Sequence, residues 1–415
     1  MNECGSMRMM DLKENLDVYV KQFPIVKVVR QKERRGLVQA RLLGASLASA
    51  ESLTYLDAHC ECYHGWLEPL LARIAEDPTA AVSPDIINID PNTFEFKSSR
   101  LNRNICFRGI FDWTLLFQWE AVPCLDGKTR KNITHPLKTP TIAGGLFSIS
   151  KKYFQDIGSY DENMEYWGSE NLEMSFRVWQ CGGQLEILPC SIVGHVYRNH
   201  NPHKYPSSNL VVQRNKVRLA EVWLDEYKMI FYRRNPIAWK IAQERSYGDV
   251  LERQKLQRDL QCKNFTWYLE NIYSEAYVPD VNPQIYGEVR NSGNGLCLIA
   301  EANPPSVDMS VTLRKCRGMD SSQYFEYSSR REIVHNIERE LCLRAEPQNV
   351  SLKRCSHKGN REDAAPKETW HITQDGLLLN PAYNMCLTGT GNIPDLGPCD
   401  NTDPFQQWEF QQTQG

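Results

Sequence analysis

From Tyr286 onward the chain repeats itself three times, and this restricts its fold more than any other feature. Each unit opens with Cys-Leu, reaches a second cysteine and closes on an aromatic after a polar pair. The units are Cys297-Leu298 with Cys316 and Gln323-Tyr324-Phe325; Cys342-Leu343 with Cys355 and Trp370; and Cys386-Leu387 with Cys399 and Gln406-Gln407-Trp408. A period of about 45 residues repeated three times reads as a threefold β domain built from stacked units. Each unit would be closed by its own short disulfide loop, which restricts the unfolded chain.

Upstream the periodicity is that of an α/β domain. Leu12, Leu16, Val20 and Phe23 recur at helical spacing and predict a helix from Asp11 to Gln22. The β-branched run Ile25-Val26-Lys27-Val28-Val29 predicts a strand. A second helix, rich in Ala and Leu, runs through Ala50 into a short apolar strand, Leu53-Thr54-Tyr55-Leu56. An amphipathic helix spans Trp66 to Glu76 and a further strand Val82 to Ile89. Such alternation implies a parallel, doubly wound sheet. Residues 97–140 read as polar and irregular. A helix opening at Trp167-Gly168-Ser169-Glu170-Asn171 stops at Cys181-Gly182-Gly183, and two strands follow, Gln184 to Leu188 and Ser191 to Val196. The loop Arg198 to Pro206 has the length and polarity of a lid. Helical segments then run from about Gln213 to Leu269, and Tyr277 to Pro283 reads as a linker.

A net charge of −3 and a pI near 6.3 give no reason to expect a nucleic-acid partner. No apolar run approaches the roughly 18 residues of a membrane span, and the first residues lack a signal-peptide pattern. The 14 cysteines argue for an oxidising compartment. Three sequons agree with that: Asn132-Ile133-Thr134, Asn264-Phe265-Thr266 and Asn349-Val350-Ser351.

The chemistry gathers behind the Leu53 strand. Asp57-Ala58-His59 at a strand's carboxyl end can place an oxygen and a nitrogen donor on one divalent cation. That mixture suits Mn²⁺ held against a diphosphate, where an all-oxygen site would suit Mg²⁺ or Ca²⁺. Cys60 and Cys62 invite a zinc reading, but no second Cys or His pair has matching spacing. Gly144-Gly145 inside a β-like run marks a bend or a close approach of backbone to something else. Trp119 and Trp179 read as core aromatics, and Arg34 by itself reads as a solvated residue of a charged turn.

Five motifs together identify a resemblance: Leu56-Asp57-Ala58-His59-Cys60-Glu61-Cys62, Ala143-Gly144-Gly145-Leu146-Phe147, Trp167-Gly168-x-Glu170-Asn171, Val193-Gly194-His195-Val196 and the three repeats. From about Leu12 to Phe410 the chain resembles the polypeptide N-acetylgalactosaminyltransferases, most closely the type 3 and type 6 branch. The resemblance implies a GT-A α/β catalytic domain over residues 1–276, a linker over 277–285 and a ricin-type β-trefoil over 286–415. It implies transfer of GalNAc from UDP-GalNAc to Ser or Thr hydroxyls of polypeptides with retention of configuration, using Mn²⁺, in the Golgi lumen. Asp57, His59 and His195 would hold the metal; Arg34 and Arg198 would reach the diphosphate. Gly145, Trp167 and Glu170 would surround the sugar, and Phe111, Trp113 and Tyr197 would line the acceptor-peptide groove. Glu170 is assigned sugar orientation rather than attack, because the family is described as reacting on one face of the sugar, with Asp57 as the essential metal carboxylate.

The resemblance also pairs Cys181 with Cys262, alongside 297–316, 342–355 and 386–399, and leaves Cys190 without its usual upstream partner. Three departures stand out. The family's opening strand and its uridine-holding turn are expected to lie before Met1, so the chain reads as lacking its first βαβ unit, stem and membrane anchor. Ser169 replaces the second Gly of Trp-Gly-Gly-Glu-Asn. The Asp that follows Cys-Leu in sugar-binding trefoil repeats is Ile299, Arg344 and Thr388, and Arg317 and Ser322 stand where His and Asn would be. Glycan binding is therefore expected to be weak or absent. The rival to an enzyme is an inactive binding or decoy protein that keeps the peptide groove and trefoil.

Overall fold

The computed structural model describes residues 14–97, 104–125, 127, 130–197, 208–302, 309–318, 321–336, 340–347, 349–356 and 364–411. The predicted lid, Arg198 to Pro206, and the predicted helix start at Asp11 lie outside them. In chain order the first elements are α1 (Leu16–Val20), α2 (Leu37–Leu47), β1 (Ser52–Tyr55), β2 (Cys60–Cys62), α3 (Leu67–Glu76), β3 (Ala80–Ile89) and β4 (Phe96–Lys97). β5 (Ile105–Phe111), β6 (Phe117–Pro123), β7 (Leu137–Lys138), β8 (Phe147–Ser150), α4 (Lys151–Asp156), α5 (Glu170–Gln180) and β9 (Gln184–Val196) complete the sheet region. α6 (Ser208–Trp223), α7 (Lys228–Arg234), α8 (Pro236–Gln243), α9 (Leu251–Asp259) and α10 (Phe265–Asn271) pack behind it.

The predicted strand at Ile25 is absent, and Ile25 is 93% exposed. β-branched residues favour a strand only where a neighbour accepts their ladder, and no described strand pairs there. The expected parallel sheet is instead mixed, ordered β1-β8-β3-β9-β2 with β4 on β3 and β7 on β9. Only β3 and β9 run parallel; β8 runs against both β1 and β3. The two strands predicted after Gly183 are one, β9, whose register to β3 slips where Leu188 and Ile192 face Pro84 and Asp85. Residues 105–123, expected to be irregular, form a β5–β6 hairpin. A Cys106–Cys124 disulfide closes it, a pairing the sequence reading did not foresee. The four foreseen pairings are present, and Cys190 is free and exposed. Trp179 is core as expected, but Trp119 is 38% exposed on the hairpin, its ring 5.0 Å from Phe117.

In the C-terminal domain the repeats have a common physical basis. Gln323, Glu368 and Gln406 are buried, and each accepts the N–H of the residue after its unit's second cysteine: Arg317 at 2.8 Å, Ser356 at 3.0 Å and Asp400 at 2.9 Å. Trp370 and Trp408 donate their indole N–H to the Leu343 and Leu387 carbonyls, at 2.8 and 2.9 Å. The Cys-Leu, second-cysteine and polar-aromatic positions thus fasten one another, which is why they recur together.

Behind the sheet, α5 carries a buried ionic knot. Glu173 accepts from Arg177 at 2.8 Å, Arg253 at 2.7 Å and the Trp223 indole at 3.1 Å. Burial pushes the Glu173 carboxyl up, but Arg177 and Arg253 outweigh it and bring it down to about 2 from an ordinary 4.5. A depressed carboxyl contributes stability that is full above its unfolded value and lost as pH falls towards its folded one. Glu173→Gln should destabilise the protein at pH 7 by on the order of 3 kcal/mol, since it leaves the buried Arg177 and the partly buried Arg253 short of a counter-charge. In urea titrations the gap to the parent should narrow below pH 4.5; a gap unchanged down to pH 3 would contradict this role of the carboxylate.

Candidate metal and donor site

The turn between β1 and β2 carries Asp57 and His59. β2 pairs with β9 so that Cys60 faces His195, and the Val196 N–H donates to the His59 carbonyl at 3.1 Å. One ligand atom from each of Asp57, His59 and His195 lies within 4.8 Å of the others. His195 Nε2 is 3.5 Å from Asp57 Oδ2, and the two imidazole rings are 4.5 Å apart. His195 Nδ1 is buried and has no hydrogen-bond partner among the described residues. One carboxylate with two imidazoles fits a divalent transition metal with open positions left over. Burial raises the Asp57 carboxyl, but the His195 hydrogen bond and the Arg41 charge outweigh it and hold it below its ordinary value.

Arg41 was missed in the sequence. It is 8% exposed on α2, sharing the inward face with Val38 and Ala45. Its Nη2 donates to Asp57 Oδ1 at 3.2 Å and to the Gly145 carbonyl at 3.4 Å. Its Nη1 donates to the Gly144 carbonyl at 2.6 Å and the Tyr160 hydroxyl at 3.1 Å. The guanidinium carbon lies 5.5 Å from the centre of the Tyr55 ring. A charged residue at a core position of an amphipathic helix was the available signal, because such a charge is kept only with partners. Gly145 fits the same cluster: a Cβ there would stand 2.4 Å from Asp57 Oδ2.

Glu170 opens α5 and is 5% exposed, and its Oε2 accepts the Gly168 N–H at 2.8 Å. Burial raises its carboxyl, only partly offset by that bond and by Arg41. Tyr166, Gly168 and Ser169 before it all have positive φ, 49°, 108° and 70°. Asn215, also missed, pins this loop: its Nδ2 donates to the Glu165 and Gly168 carbonyls at 2.9 and 3.1 Å, and its Oδ1 accepts the Glu165 N–H at 3.0 Å. Trp167 is left 49% exposed beside the site. Gly36 joins from the other side through a bridge to Tyr166, where a Cβ would stand 2.1 Å from the Tyr166 Cα. Arg34, two residues earlier, is exposed. Arg198 lies outside the described residues.

Of the three expected acceptor residues, Tyr197 is 42% exposed with its ring 4.5 Å from that of His195. Phe111 and Trp113 are 5% and 3% exposed. They pack on Phe176, Phe265 and Tyr227, and the Trp113 indole donates to the Tyr277 carbonyl at 2.8 Å. Only a small part of each of these two rings therefore reaches the surface in this structure.

In the trefoil, Ile299 is 5% exposed in a strand, and the Arg344 side chain lies 3.4 Å from Glu346 and 3.7 Å from Glu368. Neither presents a carboxylate to a sugar. The protein is expected to pass through a GalNAc column unretarded, whereas GalNAc-competed retention would overturn that expectation. Losing a charge-assisted hydrogen bond removes roughly 1.5–3 kcal/mol, enough to abolish a weak sugar site.

Arg41→Leu and Gly145→Ala disturb Asp57 without touching either histidine. Each should weaken Mn²⁺ binding in the presence of UDP by roughly 10–100-fold, the usual effect of removing a partner that orients a metal ligand. Titration followed by the electron paramagnetic resonance of free Mn²⁺ reads this directly, and unchanged affinity in both variants would refute it.

Comparison with known proteins agrees with this geometry. Residues 10–154 match the model for glycosyl transferase family 2, 128–204 that described as the N-terminal domain of galactosyltransferase, and 285–408 the ricin-type β-trefoil lectin domain. The chain is 58% identical over 402 residues to polypeptide N-acetylgalactosaminyltransferase 3 of Mus musculus, across 97% of this chain and 63% of that protein. It is 44% identical to polypeptide N-acetylgalactosaminyltransferase 4 of Mus musculus, across 96% of this chain and 68% of that protein. The chain thus spans about 63% of the length of the type 3 relatives it matches. A crystal structure described as GalNAc-T7 with UDP, GalNAc and Mn²⁺ superposes with a TM-score of 0.69 at 32% identity, covering 97% of this chain and 73% of that one. The fold is accordingly a GT-A glycosyltransferase domain followed by a ricin-type β-trefoil, and the chain belongs to the polypeptide N-acetylgalactosaminyltransferase family.

Proposed function

We propose that this chain supplies the metal, sugar and trefoil parts of a retaining transferase that moves GalNAc from UDP-GalNAc to Ser and Thr hydroxyls of polypeptides in the Golgi lumen. The supporting observation is the convergence of Asp57, His59 and His195 beside the Gly144–Gly145 turn and the buried Glu170. Residues 1–276 would form the catalytic domain, 277–285 the linker and 286–415 the trefoil. The similar protein solved with UDP, GalNAc and Mn²⁺ supports the choice of donor and metal.

Asp57, His59 and His195 would hold Mn²⁺, which when bound supplies charge to stabilise the departing UDP. Arg34 and Arg198 would add guanidinium donors to the diphosphate, where forked charge-assisted bonds are strongest. Gly145 leaves room for the sugar against Asp57, and Trp167 offers an exposed face beside it. Glu170 already spends one oxygen on the Gly168 N–H, so its carboxylate is fixed in direction. That favours orienting a sugar hydroxyl over attack on the anomeric carbon. Tyr197, next to His195, would meet the acceptor peptide.

The test is transfer from UDP-GalNAc to a Thr-rich peptide by the full-length protein, with and without chelator. Chelation should stop transfer and Mn²⁺ restore it, and Asp57→Ala should lower kcat by on the order of 10²–10³ or more, as for loss of a main electrostatic stabiliser. Transfer that survives both chelation and Asp57→Ala would refute the proposal.

A further inference from the structure

The segment that joins the two domains, residues 277–284, forms no helix or strand, yet it is not loose. Ala276 and Val278 are buried in the catalytic core, and Val281 packs against it. Pro279 and Pro283 are buried too, and their rings fix φ at two points of the path. A backbone without a ladder must satisfy its carbonyls elsewhere, and here side chains of both domains do so. The Trp113 indole donates to the Tyr277 carbonyl at 2.8 Å, and Arg330 Nη2 to the Val278 carbonyl at 3.3 Å. Arg233, near the end of α7, donates from Nη2 to the Asp280 carbonyl at 2.6 Å and from Nη1 to the Val281 carbonyl.

The same residues grip the trefoil. The Asp280 carboxylate accepts the Ser329 N–H at 2.6 Å and the Ser329 hydroxyl at 2.8 Å. Ser329 lies in the turn between the strands Phe325–Tyr327 and Ile333–Asn336. The Arg330 guanidinium carbon stands 5.1 Å from the centre of the Tyr277 ring. The remaining donor of Arg233, Nε, reaches Oε1 of the buried Glu326 at 3.1 Å. One guanidinium thus fastens α7, the joining segment and the trefoil together.

At its other end this strap meets the tip of the β5–β6 hairpin. Asp112 organises that turn, its Oδ1 accepting the Thr114 N–H at 2.9 Å and the Leu116 N–H at 3.2 Å. Leu115 has φ 57°, a conformation that persists only where neighbours hold it. Two ties do so. Lys216 of α6, itself buried, donates to the Thr114 carbonyl at 2.7 Å, and Trp113 is fastened to Tyr277. The tip is therefore held on one side by the catalytic domain and on the other by a segment that the trefoil grips.

We infer that the trefoil serves the transfer reaction as a brace: through the strap it steadies the turn after Phe111, with Arg233 as the positioning residue. This rests on the proposed function and on the reading of residues 111–113 as the acceptor side of the site. A turn already held in its binding shape spares the peptide the cost of ordering it. The brace also gives a part in the reaction to a trefoil that carries Ile299, Arg344 and Thr388 where sugar-binding repeats carry Asp.

The experiment compares the full-length protein with Arg233→Lys, which keeps a charge for Glu326 but cannot fork onto two carbonyls. Hydrogen-exchange mass spectrometry should show faster exchange over both 276–284 and 111–117, with 52–62 beside the metal cluster unchanged. KM for a Thr-rich peptide should rise about 3–10-fold, while kcat and the affinity for UDP with Mn²⁺ stay at the parent level. A general loss of stability would move donor affinity as well. Asp280→Ala releases Ser329 without stranding a buried charge; it should behave alike and serves if Arg233→Lys fails to fold. Exchange over 111–117 at the parent level in the folded variants overturns the brace. Faster exchange there with unchanged peptide KM overturns its part in acceptor binding. A parent protein that transfers no GalNAc refutes the proposed function instead, and the exchange comparison still decides the brace.

Discussion

The site depends on one buried cation. Arg41 sits on a helix whose other inward residues are apolar, and taking a guanidinium out of water costs several kcal/mol unless partners replace its hydration. Here Asp57, two backbone carbonyls and Tyr160 replace it, with the Tyr55 ring alongside. The guanidinium thereby ties three segments distant in sequence: α2, the turn after β1 and the Gly144–Gly145 turn. Asp57 gains direction from this. One oxygen is held by Arg41 and the other is left facing His195. A carboxylate so divided is poised to ligate a cation with one oxygen and cannot swing away.

Around that centre, backbone strain is held in place by neighbours that grip or press on the main chain. Tyr166 and Ser169 occupy left-handed conformations that a side chain disfavours, and such conformations persist only where neighbours over-determine them. Asn215 grips the loop from α6, and Gly36 presses on it from the chain before α2. Deeper still, Glu173 ties α5 to α6 and α9, and the Asp161–Arg218 pair, 2.8 Å apart, ties α6 to the loop before α5. The exposed Trp167 consequently stands on a rigid mount.

How much of this was legible follows from the range of each interaction. Asp57, His59 and His195 could be read because strand ends and short motifs are local signals, and the repeats could be read because they recur. Arg41 and Asn215 were missed because their partners lie 16 to 119 residues away, and the one local signal was the charge of Arg41 on an inward helix face. The β5–β6 hairpin escaped because Cys106 and Cys124 do not advertise a partner, and aromatic runs there fit core as well as strand. Phe111 and Trp113 were read from position in a motif, and their near-complete burial among other aromatics could not be read there. The sheet's mixed direction was likewise invisible, since helix–strand alternation says nothing of a segment that returns without a crossover helix.

The trefoil separates what holds a repeat together from what lets it bind. The polar residue before each aromatic is kept, and in each repeat it accepts the N–H after the second cysteine; in the first repeat Glu288 shares that N–H at 2.9 Å. In the second repeat that residue is Glu368 rather than Gln, and it binds both the Ser356 N–H and its hydroxyl, at 3.0 and 2.5 Å. A fully buried carboxylate needs a counter-charge nearby, and Arg344 lies 3.7 Å away. Arg344 stands at the position where a sugar-binding repeat would carry Asp. An Asp there would face Glu368 as a like charge in a low-dielectric setting, raising the cost of both. The two substitutions are therefore physically linked: once the buried anchor became an acid, the neighbouring sugar-binding acid became the less stable choice. An absence of sugar binding in that repeat would follow from the requirements of its own core.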